Sequence, residues 1–428
     1  MRTVFLTALL VRIAASVLLG RMVDPASARH PDSDYHHIAA VNIINGTPVT
    51  FSVKPNYTPP YKDEVNVIKG GYAIGLSVLY RIFGVSFEVG KWANILLGAL
   101  LAVGVYLLTL RLANEKAAFY SGLIVACDPY LAYLSIQVLK DVPILLCIVF
   151  SWVGYLLLDK KNTGPALLLL SVSLILASTL RPEISCLLAL TFFTFSFLQQ
   201  HARQVRGALL LLSLMFISVT LWPWLASFNP SNPQHPAVSL RESGKAAEYA
   251  HDNLASAERP VVLTGALNWP LRFINNVRYA CNAKSHATFF PGSLRQGSIS
   301  SYGELAVFMC KAPFYLFLSP YPWRAHSKLE KMFALHMTFI YLVLPFIFIG
   351  AWKVRRNSNA LAILAMATLA GTLLVLAIAS PGPMVRWRMQ VMSVLFAFSG
   401  IGLEEMIRSR ARRVNQMSFY LEKLVIGR

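Results

Sequence analysis

The stretch WANILLGALLAVGVYLLTLR, residues 92–111, is apolar over nearly its whole length. An α-helix rises about 1.5 Å per residue, so about twenty apolar residues cross the roughly 30 Å hydrocarbon core of a bilayer. Similar apolar runs recur before and after this one along the chain. The sequence therefore predicts a polytopic membrane protein built from α-helices.

The composition supports this prediction and excludes other classes. The chain has 428 residues, of which 56% are hydrophobic and 14% are charged. A soluble domain carries about 25% charged residues. The net charge of +19 would suit a nucleic-acid-binding protein, but the basic residues lie in short loops and in a terminal tail between and after the apolar runs. Such placement sets orientation in a membrane, so we expect no nucleic-acid partner.

We predict about ten transmembrane helices, with a retained first helix favoured over a cleaved signal peptide. Two shorter apolar stretches, 70–84 and 301–318, are predicted to be interfacial helices in the first outer loop and in the large outer loop. The predicted spans are 3–20, 92–111, 117–136, 141–159, 164–180, 184–200, 207–227, 332–351, 359–379 and 389–405.

The spans divide the chain into four predicted regions. The short loops that carry most lysine and arginine place both termini in the cytoplasm. A disulfide between Cys281 and Cys310, on the outer side of this layout, is left open. The regions are an N-terminal transmembrane module, 1–227, with a catalytic first outer loop, 21–91; an outer region, 228–331; C-terminal transmembrane helices, 332–405; and a basic cytoplasmic tail, 406–428.

Ionisable residues from four separate segments converge on the outer face of this layout. Each taken singly also fits an ordinary helix start, salt bridge or interfacial anchor. Together they predict a site, because ionisable groups at membrane depth are costly and are usually functional. The residues are Asp32 and Asp34 after the first span, Lys140 and Asp141 at the fourth, Arg181 and Glu183 between the fifth and sixth, and Arg386 and Arg388 before the tenth.

This combination suits transfer from a phosphate-linked donor held in the membrane. The sequence contains no Walker loop and no dinucleotide fingerprint. Arginine and lysine neutralise a leaving phosphate, and a carboxylate takes the proton of an acceptor hydroxyl. The segment HPDSDYHHIA, residues 30–39, also has ligands that suit divalent cations, but their spacing matches no metal motif. We therefore expect neither a metal nor another cofactor.

Four segments resemble the GT-C glycosyltransferases, the multi-span enzymes that use polyprenyl-phosphate sugars, in the style of protein O-mannosyltransferases and lipid A aminoarabinose transferases. The resemblance covers most of 1–200 and 310–405, and it does not cover 228–300. The segments are DSDYHHIA (32–39), GGYAIGLSVLYRIFGVSFEVGKWANILLGALLAVGVYLL (70–108), LRPEISCLLAL (180–190) and PMVRWRMQVMSVLFAFSG (383–400).

The resemblance implies a role for each residue of the outer cluster. Asp34 is expected to be the general base of an inverting transfer, with Asp32 and Asp141 as further catalytic acids. The sequence departs from the family's pattern at two positions that affect these roles. Ser33 separates two acids that are often adjacent in the family, and Lys140 precedes Asp141, the second acidic position. The expected donor-phosphate ligands are Arg386, Arg388, Arg181 and Lys140, and the expected acceptor or sugar contacts are Tyr35, His36 and Glu183.

The implied partners are a polyprenyl-phosphate-linked sugar, a glycan, lipid or protein acceptor, and the bilayer of a bacterial inner membrane. Two other functions stay open from the sequence. A polymerase or ligase of lipid-diphosphate-linked glycans would also need outer arginines. A transporter or flippase would need no catalytic acid, but such proteins often carry inverted repeats, and the two halves of this chain do not look alike.

Overall fold

The computed structural model describes residues 1–22, 31–46, 70–158, 163–198, 301–318, 328–377 and 381–426, with the single positions 271, 274, 299 and 323. Within these residues every regular element is a helix. The helices are α1 (Arg2–Met22), α2 (Pro31–Asn45), α3 (Gly71–Phe83), α4 (Phe87–Leu112), α5 (Glu115–Cys127), α6 (Pro129–Ser135), α7 (Asp141–Leu156), α8 (Thr163–Leu180), α9 (Pro182–Leu198), α10 (Tyr302–Leu318), α11 (Lys328–Lys353), α12 (Ser358–Ala377) and α13 (Pro381–Ile426).

Nine of the ten predicted spans coincide with helices or with a helix pair, and the span predicted at 207–227 lies outside the described residues. By length and composition, five described helices can cross a membrane: α1, α4, α8, most of α11, and α13. The pair α5 and α6 makes a sixth if the two count as one bent span. The all-helical membrane class is confirmed, and α7 ends three residues before its predicted span does.

Local sequence explains where the helices around the site begin and bend. Asn114 caps α5 by accepting a hydrogen bond from the backbone N–H of Ala117 at 3.0 Å. Asp128 ends α5 and caps α6, accepting from Tyr130 and Leu131 at 2.8 Å each, and Pro129 occupies the first position of α6. The two helices meet at 61°. The predicted span 117–136 covers both helices without a break, so the bend is a correction to that prediction.

The helix α13 lies at the centre of the bundle, where it packs against α11, α5, α12, α4 and α7. Gly350 of α11 and Gly402 of α13 bring the two backbones into direct contact, since a Cβ at either position would overlap main-chain atoms of the other helix. Small residues allow this close approach between membrane helices. The central position of α13 matters for the site, because Arg386 and Arg388 lie near its start.

Both short apolar stretches predicted as interfacial helices are helical, as α3 and α10. The segment that follows α1, predicted as part of a loop, is a helix of its own, α2. Cys310 is a free cysteine, whereas Cys281 lies outside the described residues. The division into four regions stays a prediction, and most of the outer region 228–331 also lies outside the described residues.

Candidate active site

A cluster of opposite charges forms where α2, the start of α7 and the start of α13 meet. Arg386 donates from Nε to Asp141 Oδ2 at 2.6 Å and from Nη1 to Asp32 Oδ2 at 2.5 Å. Arg181, from the break between α8 and α9, donates from Nη2 to the other oxygen of Asp141 at 3.2 Å. Residues 354 positions apart in sequence thus share one site.

The cluster is buried on one side and open on the other. The side chain of Asp141 is 2% exposed and that of Arg386 is 11% exposed, whereas that of Asp32 is 51% exposed. Asp141 is therefore a fixed carboxylate, held by two guanidinium groups. Asp32 is the carboxylate of the cluster that is most accessible to a ligand from outside.

The helical phase of α2 separates its two acids. The buried residues Ser33, His36 and Ala40 lie on one face, at the spacing of successive helical turns. Asp32 lies at the edge of this face, while Asp34 lies on the opposite, exposed side. The structure thus brings Asp32 into contact with Arg386.

The two predicted arginines of α13 diverge for the same reason. Side chains two positions apart on a helix do not share a face. Arg388 is fully buried and donates from Nη1 to the backbone carbonyl of Leu316 in α10 at 3.1 Å. The geometry places Arg386 in the charge cluster and Arg388 in the buried contact with α10, and the role of Arg388 as a phosphate ligand stays a prediction.

Lys140 and Glu183 lie at the margin of the cluster. Lys140 precedes α7, and burial, with a smaller contribution from the Arg181 charge, lowers the pKa of Lys140 to about 8. Glu183 is half-buried in the first turn of α9 and interacts electrostatically with both Lys140 and Arg181. Both residues were predicted at this site, and both lie close enough to influence its charge.

His36 and Tyr35 contribute shape rather than charge. His36 lies between Tyr35 and Tyr72, with ring centroids at 5.3 and 5.0 Å. Burial, with a smaller contribution from the Lys140 charge, lowers the pKa of His36 to about 4. The imidazole is therefore neutral near pH 7. Tyr35 is half-buried at the edge of the same group.

Sequence reasoning missed Trp387, Asn94 and Gln137. The guanidinium carbon of Arg181 lies 4.5 Å from the centre of the Trp387 ring, a cation–π contact that orients Arg181. The Nδ2 atom of Asn94, in α4, donates to the carbonyls of Gln137 at 2.6 Å and of Leu139 at 2.9 Å. Asn94 could have been identified from the sequence, because it is a polar residue within the apolar run 92–111.

Gln137 completes a frame between the two acidic segments. Ser33 Oγ donates to the side-chain oxygen of Gln137 at 3.4 Å. The chain Ser33–Gln137–Asn94 thus links the helix that carries Asp32 to the extended residues before Asp141. We call these three residues the buried frame.

A second group of buried polar residues lies at the bend between α5 and α6. Arg12 of α1 donates to Ser135 Oγ at 3.1 Å and to the carbonyls of Ala8 at 2.9 Å and Ala126 at 3.4 Å. On the other side of the bend, His336 Nδ1 lies 3.6 Å from Asp128 Oδ1. A cation near the end of α5 and a carboxylate at the start of α6 complement the dipoles of the two half-helices.

The described residues contain no group of three or more histidine, cysteine, aspartate or glutamate side chains able to hold a metal ion. The carboxylates of the cluster face arginines instead. This donor set suits an anion better than a cation, because guanidinium groups pair with phosphate oxygens in a bidentate manner. The buried Nε of Arg181 has no hydrogen-bond partner among the described residues, which leaves one donor for such an anion.

Comparison with known proteins supports this fold. The sequence profile of the family described as dolichyl-phosphate-mannose-protein mannosyltransferase matches residues 71–226. None of the curated protein sequences is significantly similar to this chain. Solved structures of an oligosaccharyltransferase from Archaeoglobus fulgidus are similar in fold.

One of these structures is the complex of the archaeal enzyme with an inhibitory peptide and a dolichol-phosphate. It is 16% identical to this chain, with a TM-score of 0.51 over 97% of this chain and 52% of the enzyme. The complex with Zn and sulfate is also 16% identical, with a TM-score of 0.52 over 98% of this chain and 51% of the enzyme. The chain thus spans about half the length of these proteins. It is an integral membrane protein with the GT-C fold that the sequence predicted.

Proposed function

We propose that this GT-C-fold chain is a membrane glycosyltransferase that moves a sugar from a polyprenyl-phosphate donor to an acceptor hydroxyl. The observation that carries the proposal is the position of Arg386, which bridges Asp32 and Asp141 at the open edge of the bundle. The match to a family of dolichyl-phosphate-mannose-using enzymes supports the choice of donor class.

The proposed reaction is a single inverting displacement. The acceptor oxygen bonds to the anomeric carbon while the bond between that carbon and the phosphate oxygen breaks. The acceptor proton passes to an aspartate, and the polyprenyl phosphate leaves with its negative charge held by Arg386 and Arg181. General-base catalysis of this kind contributes about 10² to 10⁴ in rate.

Arg386 has a second role in this proposal. In the structure the Nη1 atom of Arg386 donates to Asp32, the more exposed of the two carboxylates. An arriving phosphate competes for that guanidinium donor. Asp32 then takes the acceptor proton, while Asp141 stays paired with two arginines. The contacts support Asp32 as the base; Asp34, the base expected from the resemblance, stays an alternative.

The remaining predicted residues keep supporting roles. Lys140 adds positive charge for the phosphate, whereas Tyr35, His36 and Glu183 border the space that a sugar or acceptor would enter. We propose that the site faces the outside of a bacterial inner membrane, with both termini in the cytoplasm. The basic loops at the opposite end of the bundle support this orientation.

The test uses undecaprenyl phosphate, which is the leaving group of every undecaprenyl-phosphate sugar. Its binding to the purified protein is measured against undecaprenol, which has the same tail and no phosphate. We expect the phosphate to increase affinity, and Arg386→Ala to abolish that increase. Arg81→Ala is the matched control, since Arg81 is exposed in α3 and contacts neither aspartate.

Two results would overturn the proposal. Equal binding of the two lipids by the wild-type protein would show that the cluster does not recognise phosphate. Equal losses in Arg386→Ala and Arg81→Ala would show that the preference reflects overall charge. Transfer of the sugar itself is then measured in membranes of the source cells at matched expression.

A further inference from the structure

The end of α13 that lies opposite the candidate active site is strongly basic. From Arg386 to Glu405 the helix rises about 28 Å, which is close to the thickness of a hydrocarbon core of about 30 Å. The candidate site and the basic end therefore lie at opposite interfaces of one bilayer. Beyond Glu405, the arginines 408, 410, 412 and 413 are exposed.

The end of α11 lies beside the basic end of α13. Lys353, at the end of α11, forms a salt bridge of 2.9 Å with Glu405. The neighbouring turn adds Arg355 and Arg356, which are exposed. We call the following seven residues the basic collar: Lys353, Arg355, Arg356, Arg408, Arg410, Arg412 and Arg413.

The acids at this level do not neutralise the collar. Glu405 pairs with Lys353, and Glu404 accepts a hydrogen bond from Asn114 at 2.9 Å. Three carboxylates, those of Glu404, Glu405 and the Glu115 that follows Asn114, thus stand against the seven basic side chains of the collar. Such a surface attracts anions, and its exposed position in the described part of the chain leaves it accessible.

The length of the collar along the α13 axis is close to the thickness of a lipid headgroup layer. Residues 405–413 rise about 12 Å along the helix. The headgroup region adds roughly 5 to 8 Å on each side of the hydrocarbon core, and charges act over a Debye length of about 8 Å beyond it. Trp352 is 69% exposed at the same level, with the guanidinium carbon of Arg355 4.2 Å from its ring centre. Tryptophan is typical of membrane interfaces.

The arginine-bearing segment also carries exposed apolar side chains. Met406, Ile407, Val414 and Met417 lie toward one side of the helix and are 41 to 64% exposed. Arg408 and Arg412 lie toward the other side, whereas Arg410 and Arg413 lie among or beside the apolar side chains. The segment offers charge to headgroups and apolar surface to the acyl boundary.

We propose that the basic collar is a binding site for anionic phospholipid headgroups. The site is separate from the candidate active site and goes beyond the proposed function. Clustered basic residues beside a transmembrane helix bind anionic lipids in proportion to their number. The collar therefore selects the lipids that surround this end of the bundle, in addition to setting orientation.

The test reconstitutes the full chain in phosphatidylcholine vesicles and measures its association with spin-labelled phosphatidylglycerol relative to spin-labelled phosphatidylcholine. We expect the wild-type protein to prefer phosphatidylglycerol, and the double variant Arg408→Gln/Arg412→Gln to lose most of that preference. Raising the salt from about 0.1 M to about 1 M shortens the Debye length to about 3 Å and should lower the wild-type preference as well.

The control variant is Arg81→Gln/Lys311→Gln, which removes two exposed charges outside the collar. An equal loss in the control, or a wild-type protein without preference, would overturn the proposal and leave the collar as an orientation signal only. Inorganic phosphate is added at matched ionic strength in a further arm. If phosphate, and not chloride, removes the preference, the ligand is a free anion rather than a lipid.

Discussion

Arg386 carries more of the candidate site than any other residue, because it contacts both carboxylates. The two contacts differ in burial: Asp141 is enclosed, whereas Asp32 is half exposed. A residue that pairs with one fixed and one accessible acid can exchange the accessible partner for a ligand with a small loss of free energy, because that ion pair is exposed to solvent. The predictions for single residues follow from this asymmetry.

The first prediction separates Asp32 from Asp34. Asp32→Asn should lower sugar transfer by about 10² to 10⁴, because the amide cannot take a proton. Asp34→Asn should keep transfer within a few-fold, since Asp34 lies on the opposite side of α2. Transfer is measured in membranes of the source cells at matched expression. The reverse ranking would return the role of base to Asp34.

The second prediction concerns pH. Burial lowers the pKa of Lys140 to about 8, so Lys140 is charged below pH 8 and neutral above it. A phosphate monoester has a second pKa of about 6 and keeps its charge over this range. Affinity for undecaprenyl phosphate should therefore fall as the pH rises from 7 to 9. In Lys140→Gln this fall should disappear, and a fall that persists would assign it to another group.

At the scale of the element, apolar runs predicted most helices, because a span of about twenty apolar residues has few other stable structures in a bilayer. The helix α2 was missed because its start, PDSDYHH, is polar and typical of a loop. The choice between Asp32 and Asp34 depends on helical phase, which a loop does not have.

The bend between α5 and α6 was also missed, although Asp128-Pro129 is a recognisable helix start. Mean hydropathy does not reveal this helix start, since the residues on both sides of it are apolar. The sequence predicts only that Asp32, Asp141 and Arg386 lie on the same face of the membrane, and it does not predict which of them pair. Contacts between residues 245 and 354 positions apart depend on packing that periodicity does not encode.

The third prediction tests the buried frame. Asn94→Ala removes two hydrogen bonds to the carbonyls before Lys140 and should lower the free energy of unfolding by about 1 to 3 kcal/mol. Because the segment then loses its fixed position beside Asp141, the rate of transfer should fall more than the affinity for undecaprenyl phosphate. Thr109→Ala, a buried polar change elsewhere in α4, is the matched control. Equal effects on rate in both variants would leave Asn94 with a structural role alone.

The fourth prediction concerns the bend. Arg12→Met leaves the carbonyl of Ala126 and the buried carboxylate of Asp128 without their neighbouring cation. Removing one partner from a buried charged group costs about 3 to 5 kcal/mol, so thermal unfolding in detergent should begin at a clearly lower temperature. The double variant Arg12→Met/Asp128→Asn should recover part of the loss. No recovery would show that Arg12 acts through packing alone.

At the scale of the whole molecule, α13 connects the two interfaces. Its start supplies Arg386 to the candidate active site, its middle packs against five helices, and its end supplies four arginines to the basic collar. The opposed character of the two ends has a physical basis. In the proposed function, balanced charges recognise a ligand at one interface, and a surplus of positive charge sets the orientation at the other.

The last prediction tests this arrangement directly, with single cysteines in a background without the five native cysteines. Asp34→Cys lies beside the candidate site and Ala411→Cys lies in the collar, and both positions are exposed. A maleimide that cannot cross membranes should label Asp34→Cys in intact cells and Ala411→Cys only after permeabilisation. Labelling of both positions in intact cells would contradict a single crossing by α13. The opposite pattern would keep the crossing but place the site in the cytoplasm, where the donor sugar would have to be presented from the inner leaflet.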